Sequence, residues 1–232
     1  MMTVAKKIQY VSLSDQAYDI LKQQIIKRNI QPGEKLDVNR LASQLGVSRM
    51  PVAEALTRLE SEGLVEKRDR VGTFVAPVDE RKFMAWFEVR AMIEDWAAPR
   101  IAARVTEGDI ARLNSLLAEG RSILYASQPD TFDFYAFVRT YDTGFHTMLL
   151  QTAGNSFVVE IFATIHSHAR IGRSFVPRRD QLTACKLSQE DHEAILEATI
   201  SRDAASIATT MQAHRERSQA STLAAFRATN YL

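Results

Sequence analysis

The sequence predicts a mainly α protein in two parts: an N-terminal winged helix-turn-helix over residues 1–77 and an all-α bundle of about six helices over residues 78–232. Three observations carry this expectation. Three short amphipathic segments precede a hairpin pattern that ends at Pro77, strand signals vanish from Asp79 onward, and helical spacing of apolar residues continues through the rest. With 232 residues, 46% of them hydrophobic, the chain has enough apolar surface for a packed core.

The elements follow in order. Ser14 is the expected N-cap of a first helix whose Ala17, Ile20, Leu21 and Ile25 share a face, and Pro32-Gly33 stops it. Val38, Leu41, Ala42 and Leu45 give a short second helix, with Gly46 placed for a left-handed C-cap. Ser48 caps a third, which tolerates Pro51 because first-turn N–H groups have no intrahelical acceptor. Its inward face is Val52, Ala55, Leu56 and Leu59, and Gly63 ends it. Two short strands, 64–67 and 73–76, flank a turn of Arg68-Asp69-Arg70-Val71-Gly72. In the second part the expected helices span 79–104, 106–126, 131–152, 155–175, 189–201 and 204–227. Thr106 with Asp109, and Ser188 with Asp191, have capping-box spacing, and Pro99 is expected to kink or split the first span.

Composition narrows the function classes. The formal net charge is +1, but residues 1–78 hold 12 Lys/Arg against 9 Asp/Glu and the remainder 17 against 19, a weak bias toward a polyanion partner for the first part. A single cysteine, Cys185, excludes an intramolecular disulfide framework and a thiolate metal cluster within one chain, and fits a reducing compartment. Neither a signal-peptide pattern in Met1–Val11 nor an apolar run of membrane-spanning length is present, so a soluble, cytoplasmic protein without a membrane partner is expected.

A helix-turn-helix braces one helix across the DNA backbone while the next presents its N-terminal side chains to base edges in the major groove. Those side chains are Ser48, Arg49 and Met50, and Arg49 suits a bidentate contact with guanine O6 and N7. Thr57 and Arg58 lie further along the exposed face. Arg68, Arg70 and Gly72 form the wing tip, and Lys35 and Arg40 are candidates for phosphate contacts.

A second constellation lies on apolar helix faces, where an imidazole needs a partner. Asp142 and His146 are one turn apart, with Val138, Phe145 and Leu149 on the same side; His192 sits with Ile195, Leu196 and Thr199, and His214 with Ile207 and Met211. One Asp and three His suit a divalent transition metal ion, zinc first and nickel, iron or manganese as alternatives, with a position left for water or a ligand carboxylate. Taken singly, a histidine at such a position is more often a core residue hydrogen-bonded to a neighbour than a metal ligand. His166 and His168, two residues apart, face different directions and are left outside the set. Arg90 and Arg139 are candidates to clamp an anionic effector; the alternative for Arg90 is an ion pair with Glu94.

Pro32-Gly33-Glu34-Lys35-Leu36, the run Leu41-Ala42-Ser43-Gln44-Leu45-Gly46-Val47-Ser48-Arg49-Met50-Pro51-Val52-Ala53-Glu54-Ala55-Leu56, then Leu59-Glu60-Ser61-Glu62-Gly63-Leu64-Val65 and Gly72-Thr73-Phe74-Val75 resemble the GntR family of winged-helix regulators over nearly all of residues 14–76. One departure stands out: where that family usually carries a second arginine on the recognition helix, this chain has Ala53, which implies an altered base preference. Asp142-Thr143-Gly144-Phe145-His146, Glu190-Asp191-His192-Glu193-Ala194-Ile195 and Met211-Gln212-Ala213-His214 resemble the ligand positions of the FadR-like, FCD-type effector domain over about residues 83–220.

The resemblance implies a transcription regulator, usually a repressor, that binds an inverted repeat in double-stranded operator DNA as a homodimer. It implies a small carboxylate effector bound at a metal held by Asp142, His146, His192 and His214. Two other readings compete: a metal-dependent hydrolytic enzyme fused to a DNA-binding module, and a regulator whose C-terminal domain only dimerises. Hydrolysis needs a general base beside the metal, and no Glu or Asp beyond the ligands themselves presents one, so an enzyme is not expected.

Overall fold

The computed structural model describes residues 12–77, 79–173 and 176–228, with all their side chains except those of 167–173 and 178. The chain divides into two compact units, Met1–Pro77 and Val78–Leu232.

In the first unit, α1 (Leu13–Ile26), α2 (Val38–Leu45) and α3 (Arg49–Ser61) pack beside a three-stranded antiparallel sheet of order β1-β3-β2. Its strands are β1 (Lys35–Leu36), β2 (Val65–Arg68) and β3 (Gly72–Val75). The hairpin register pairs Val65 with Val75 and Arg68 with Gly72. The strand β1, pairing Leu36 with Thr73, was not expected, because two residues are too few to show alternation. The α3 face of Val52, Ala55, Leu56 and Leu59 is buried as its spacing predicts, and Gly46 caps α2 at φ 67°.

Two details of α1 correct the expectation. Its N-cap is Ser12 rather than Ser14: the Ser12 hydroxyl accepts from the Asp15 N–H at 3.0 Å. Ile20 lies on the exposed side, and the inward face is completed by Tyr18 and Lys22, which both reach Glu62 at the end of α3. That polar seam sets the rotation of the helix. Ser48 occupies the N-cap position of α3, yet its hydroxyl makes no capping bond.

The second unit contains α4 (Glu80–Arg104), α5 (Glu107–Ala126), α6 (Phe134–Phe137), α7 (Thr143–Gln151), α8 (Ser156–Arg173), α9 (Arg178–Ile200) and α10 (Ala204–Ala228). The Thr106–Asp109 capping box forms in full at the start of α5. Pro99 does not split α4; it is exposed and the helix continues through it. The Ser188–Asp191 box does not form, because α9 begins at Arg178. Leu182, Cys185, Gln189, His192 and Leu196 make one continuous buried stripe at three- and four-residue spacing, and nothing interrupts it at 188.

Between α6 and α7 the chain makes a π-helical turn, Val138–Asp142, with the Thr143 N–H bonded to the Val138 carbonyl five residues back. The wider turn brings both Tyr141 and Asp142 into the core and turns Arg139 outward. It packs closely on α5: a Cβ on Gly120 would lie 2.6 Å from the Tyr141 ring, so the glycine is what lets the aromatic seat there.

Candidate functional site

On the first unit, Ser48, Arg49 and Met50 are exposed at the N-terminal end of α3, with Met50 70% accessible. Arg49 makes no ion pair or side-chain hydrogen bond among the described residues. Arg58 is engaged instead: it pairs with Asp15 at 2.6 Å and its guanidinium lies 3.9 Å from the centre of the Tyr18 ring. Thr57 is exposed, its hydroxyl bonded back to the Ala53 carbonyl.

In the wing, Arg68 pairs with Glu66 at 2.6 Å and lies over the Phe74 ring, while Arg70 sits at the tip in the left-handed region, φ 60°. Gly72, at φ 133°, accommodates the Lys35 stem, whose Cε would meet a Cβ there at 2.9 Å. Arg40 is exposed and stands 3.6 Å from Glu34. The arrangement offers exposed cations at a helix start and at a loop tip.

On the second unit, helical segments bring buried polar side chains into two groups that share His146. Asp142 ends the π turn, and α7 supplies His146, α9 His192 and α10 His214; none is more than 2% exposed. Donor atoms of His146, His192 and His214 all lie within 4.8 Å of one another. His146 Nε2 and His192 Nε2 are 3.2 Å apart. Two ring nitrogens at that distance need a proton on one of them or a cation drawing both lone pairs. Two nitrogens each about 2.0–2.1 Å from a tetrahedral zinc would stand roughly 3.3 Å apart, so the spacing fits a metal.

The rings are held from behind. The Tyr141 hydroxyl is 2.8 Å from His192 Nδ1, Phe145 stacks on His192 with centroids 4.4 Å apart, and Asp191 Oδ2 is 3.4 Å from His214 Nδ1. Such outer contacts fix which nitrogen faces inward. Burial, then the charge of Arg90 and the neighbouring imidazoles, pushes the His146 pKa well below its ordinary value, which keeps the ring in the neutral, ligating form.

His166, which the sequence pattern leaves outside the set, belongs to this cluster. Its Nε2 lies 3.0 Å from Asp142 Oδ2, and Asp142, His146 and His166 make a second group of donors within 4.8 Å. The signal was its position one turn after Phe162 and next to Ile165, both buried on α8. The His168 side chain lies outside the described residues.

Arg90 is 1% exposed and pairs with Glu94 at 2.6 Å, so the i,i+4 reading holds. Its Nη2 is buried with no hydrogen-bond acceptor among the described residues. Glu94 also binds Arg215 of α10 at 2.7 Å. Arg139 does not reach the cluster. It is exposed, because the π turn breaks the α-helical phase that seven residues before His146 would otherwise give.

A groove of about 790 Å³ between α5 and α9 is lined by Arg121, Tyr125 and Glu193 among others and touches none of the histidines. A smaller cavity of about 80 Å³ between α9 and α10 reaches His214, with Cys185, Ser188, Asp191 and Arg217 on its walls. No helix among the described residues is long and apolar enough to cross a membrane.

Three helices with a β-wing, ahead of an all-helical unit built round a buried polar cluster, define a helix-turn-helix transcription regulator. Residues 13–75 match the family of bacterial regulatory proteins named gntR, and residues 85–217 match the FCD domain. The HTH-type transcriptional repressor RspR of Escherichia coli (strain K12) is 26% identical over 202 residues, covering 87% of this chain and 85% of that protein. The "Putative L-lactate dehydrogenase operon regulatory protein" of the same strain is 32% identical over 226 residues, covering 87% and 83%. The solved structure of E. coli McbR/YncC shares the fold with a TM-score of 0.74 at 21% identity, covering 95% of this chain and 100% of that one. The chain belongs to the GntR family of transcription regulators and carries the FCD domain. These families and relatives are regulators rather than enzymes.

Proposed function

We propose that the chain is a cytoplasmic, homodimeric repressor whose operator binding is modulated by a small carboxylate bound at a metal site. Residues 1–77 bind an inverted repeat in double-stranded DNA, and residues 78–232 bind the effector and dimerise. The buried donors His146, His192 and His214, within 4.8 Å of one another, with Asp142 in a second such group that shares His146, support the effector half of this reading. When bound, a divalent ion supplies a Lewis-acidic centre that draws an anionic oxygen. Zinc suits the donor set, with nickel, iron or manganese as alternatives. Arg90, with a buried N–H group to donate, supplies a second contact to a carboxylate. Arg139, exposed, has no part in it. The relative named for an L-lactate dehydrogenase operon supports a carboxylate as the ligand class.

On the DNA side, Arg49 reads a base edge, with Ser48 and Met50 beside it, and Thr57 lies further along the helix. Lys35, Arg40 and Arg70 grip phosphates, and Gly72 lets the wing approach closely. Arg58 and Arg68 are held by acidic neighbours and aromatic rings, so they shape the surface more than they read it.

A thermal-shift screen against small carboxylates, before and after chelation, tests the effector half. A ligand at about 100 times its Kd stabilises by roughly 2.7 kcal/mol. The expected result is a hit that disappears with chelator. Melting indifferent both to chelator and to every carboxylate would reduce the second unit to a dimerising role.

A further inference from the structure

Resting on the metal reading above, we propose that His166 sets how Asp142 ligates, by holding one carboxylate oxygen so that the other alone faces the ion. His166 lies on α8, which supplies none of the four residues already assigned to the metal. Its Nε2 stands 3.0 Å from Asp142 Oδ2, and the two side chains are 3% and 0% exposed. The ring is fixed from both sides: Phe162 meets it edge-on with centroids 5.4 Å apart, and His146 lies 5.0 Å away.

A hydrogen bond at 3.0 Å to a carboxylate puts the proton on His166 Nε2, because the carboxylate oxygen can only accept. The nitrogen facing Asp142 is then a donor, with no lone pair to offer a metal. Through that nitrogen His166 acts as a positioning residue, holding the carboxylate rather than the ion. Its effect falls on the count of open positions. With Oδ2 engaged, Asp142 ligates through Oδ1 only. Released, the carboxylate rotates about its last bond and chelates with both oxygens, filling a position that an effector carboxylate would take. Outer-shell partners of this kind typically change metal affinity by 10–100-fold.

The test uses Co²⁺ on the full-length protein, because its visible d–d absorption weakens as coordination number rises. His166→Gln keeps an N–H donor at similar reach; His166→Ala removes it. The expected result is that H166Q keeps the wild-type spectrum and affinity, while H166A binds Co²⁺ about 10–100-fold more weakly with a fainter d–d band. Circular dichroism of the metal-free variants checks the fold. Should H166A not fold, the spectrum of H166Q decides: unchanged intensity supports positioning and changed intensity overturns it. Wild-type behaviour in H166A overturns the proposal, as does H166Q matching H166A, which would make the imidazole itself a ligand. A wild-type protein that takes up no Co²⁺ contradicts the metal reading itself, a distinct outcome.

Discussion

Arg49 and Arg58 carry the same charge on the same helix and do different work. Arg58 is bonded to Asp15 and stacked on Tyr18, so it ties α3 to α1. Arg49 projects from the first turn of α3 and makes no ion pair or side-chain hydrogen bond among the described residues. Arg49→Ala should therefore weaken binding to a duplex selected from a randomised pool by about 1–3 kcal/mol and relax preference at one base position, with the melting temperature unchanged. Fluorescence anisotropy on single-base variants of the duplex reads both effects. Both arginines were legible as surface cations, but which one is engaged was not, because the partners of Arg58 lie 43 and 40 residues away in the chain.

Tyr18 gives a pH signature of the same seam. Burial, and then the hydrogen bond it donates to Glu62, raise its phenol well above the ordinary value of 10.0. The folded state keeps a proton that the unfolded chain releases near pH 10, so stability is full below about pH 10 and falls as pH rises above it. An absorbance titration at alkaline pH should show Tyr18 ionising late, and Tyr18→Phe should remove both that step and its share of the alkaline loss.

At the scale of elements, α4 and α10 are joined by a buried charge network. Glu94, 1% exposed, accepts from Arg90 at 2.6 Å and from Arg215 at 2.7 Å. Removing it leaves two buried cations without their carboxylate. Glu94→Ala is expected to destabilise the protein by about 3–5 kcal/mol in denaturant unfolding, with Glu94→Gln milder. A loss under about 1 kcal/mol would mean that the arginines find other acceptors.

Helix existence was legible from periodicity throughout. What escaped were features set by tertiary context. The α9 start looked like residue 189 because Ser188 and Asp191 mimic a cap, whereas the packing of Leu182 and Cys185 continues the helix back to Arg178. The π turn has no period-based signature, and through it Arg139 turns away while Asp142 keeps its one-turn relation to His146. His166 was missed because its partner Asp142 is 24 residues away, on another helix.

At the scale of the molecule, the two units carry different chemistry in one chain: exposed cations on Met1–Pro77 and a buried donor cluster in Val78–Leu232. A regulator works only if the effector binds one functional state of the protein more tightly than the other. The proposed effector response of this chain stands on that requirement. The most direct test is operator affinity by fluorescence anisotropy, measured for metal-loaded and chelated protein with and without a carboxylate that raises the melting temperature. The account predicts that the carboxylate releases the duplex about 5–150-fold from metal-loaded protein, and not from chelated protein or from His192→Ala. Operator affinity that is indifferent to carboxylate and metal together would contradict it.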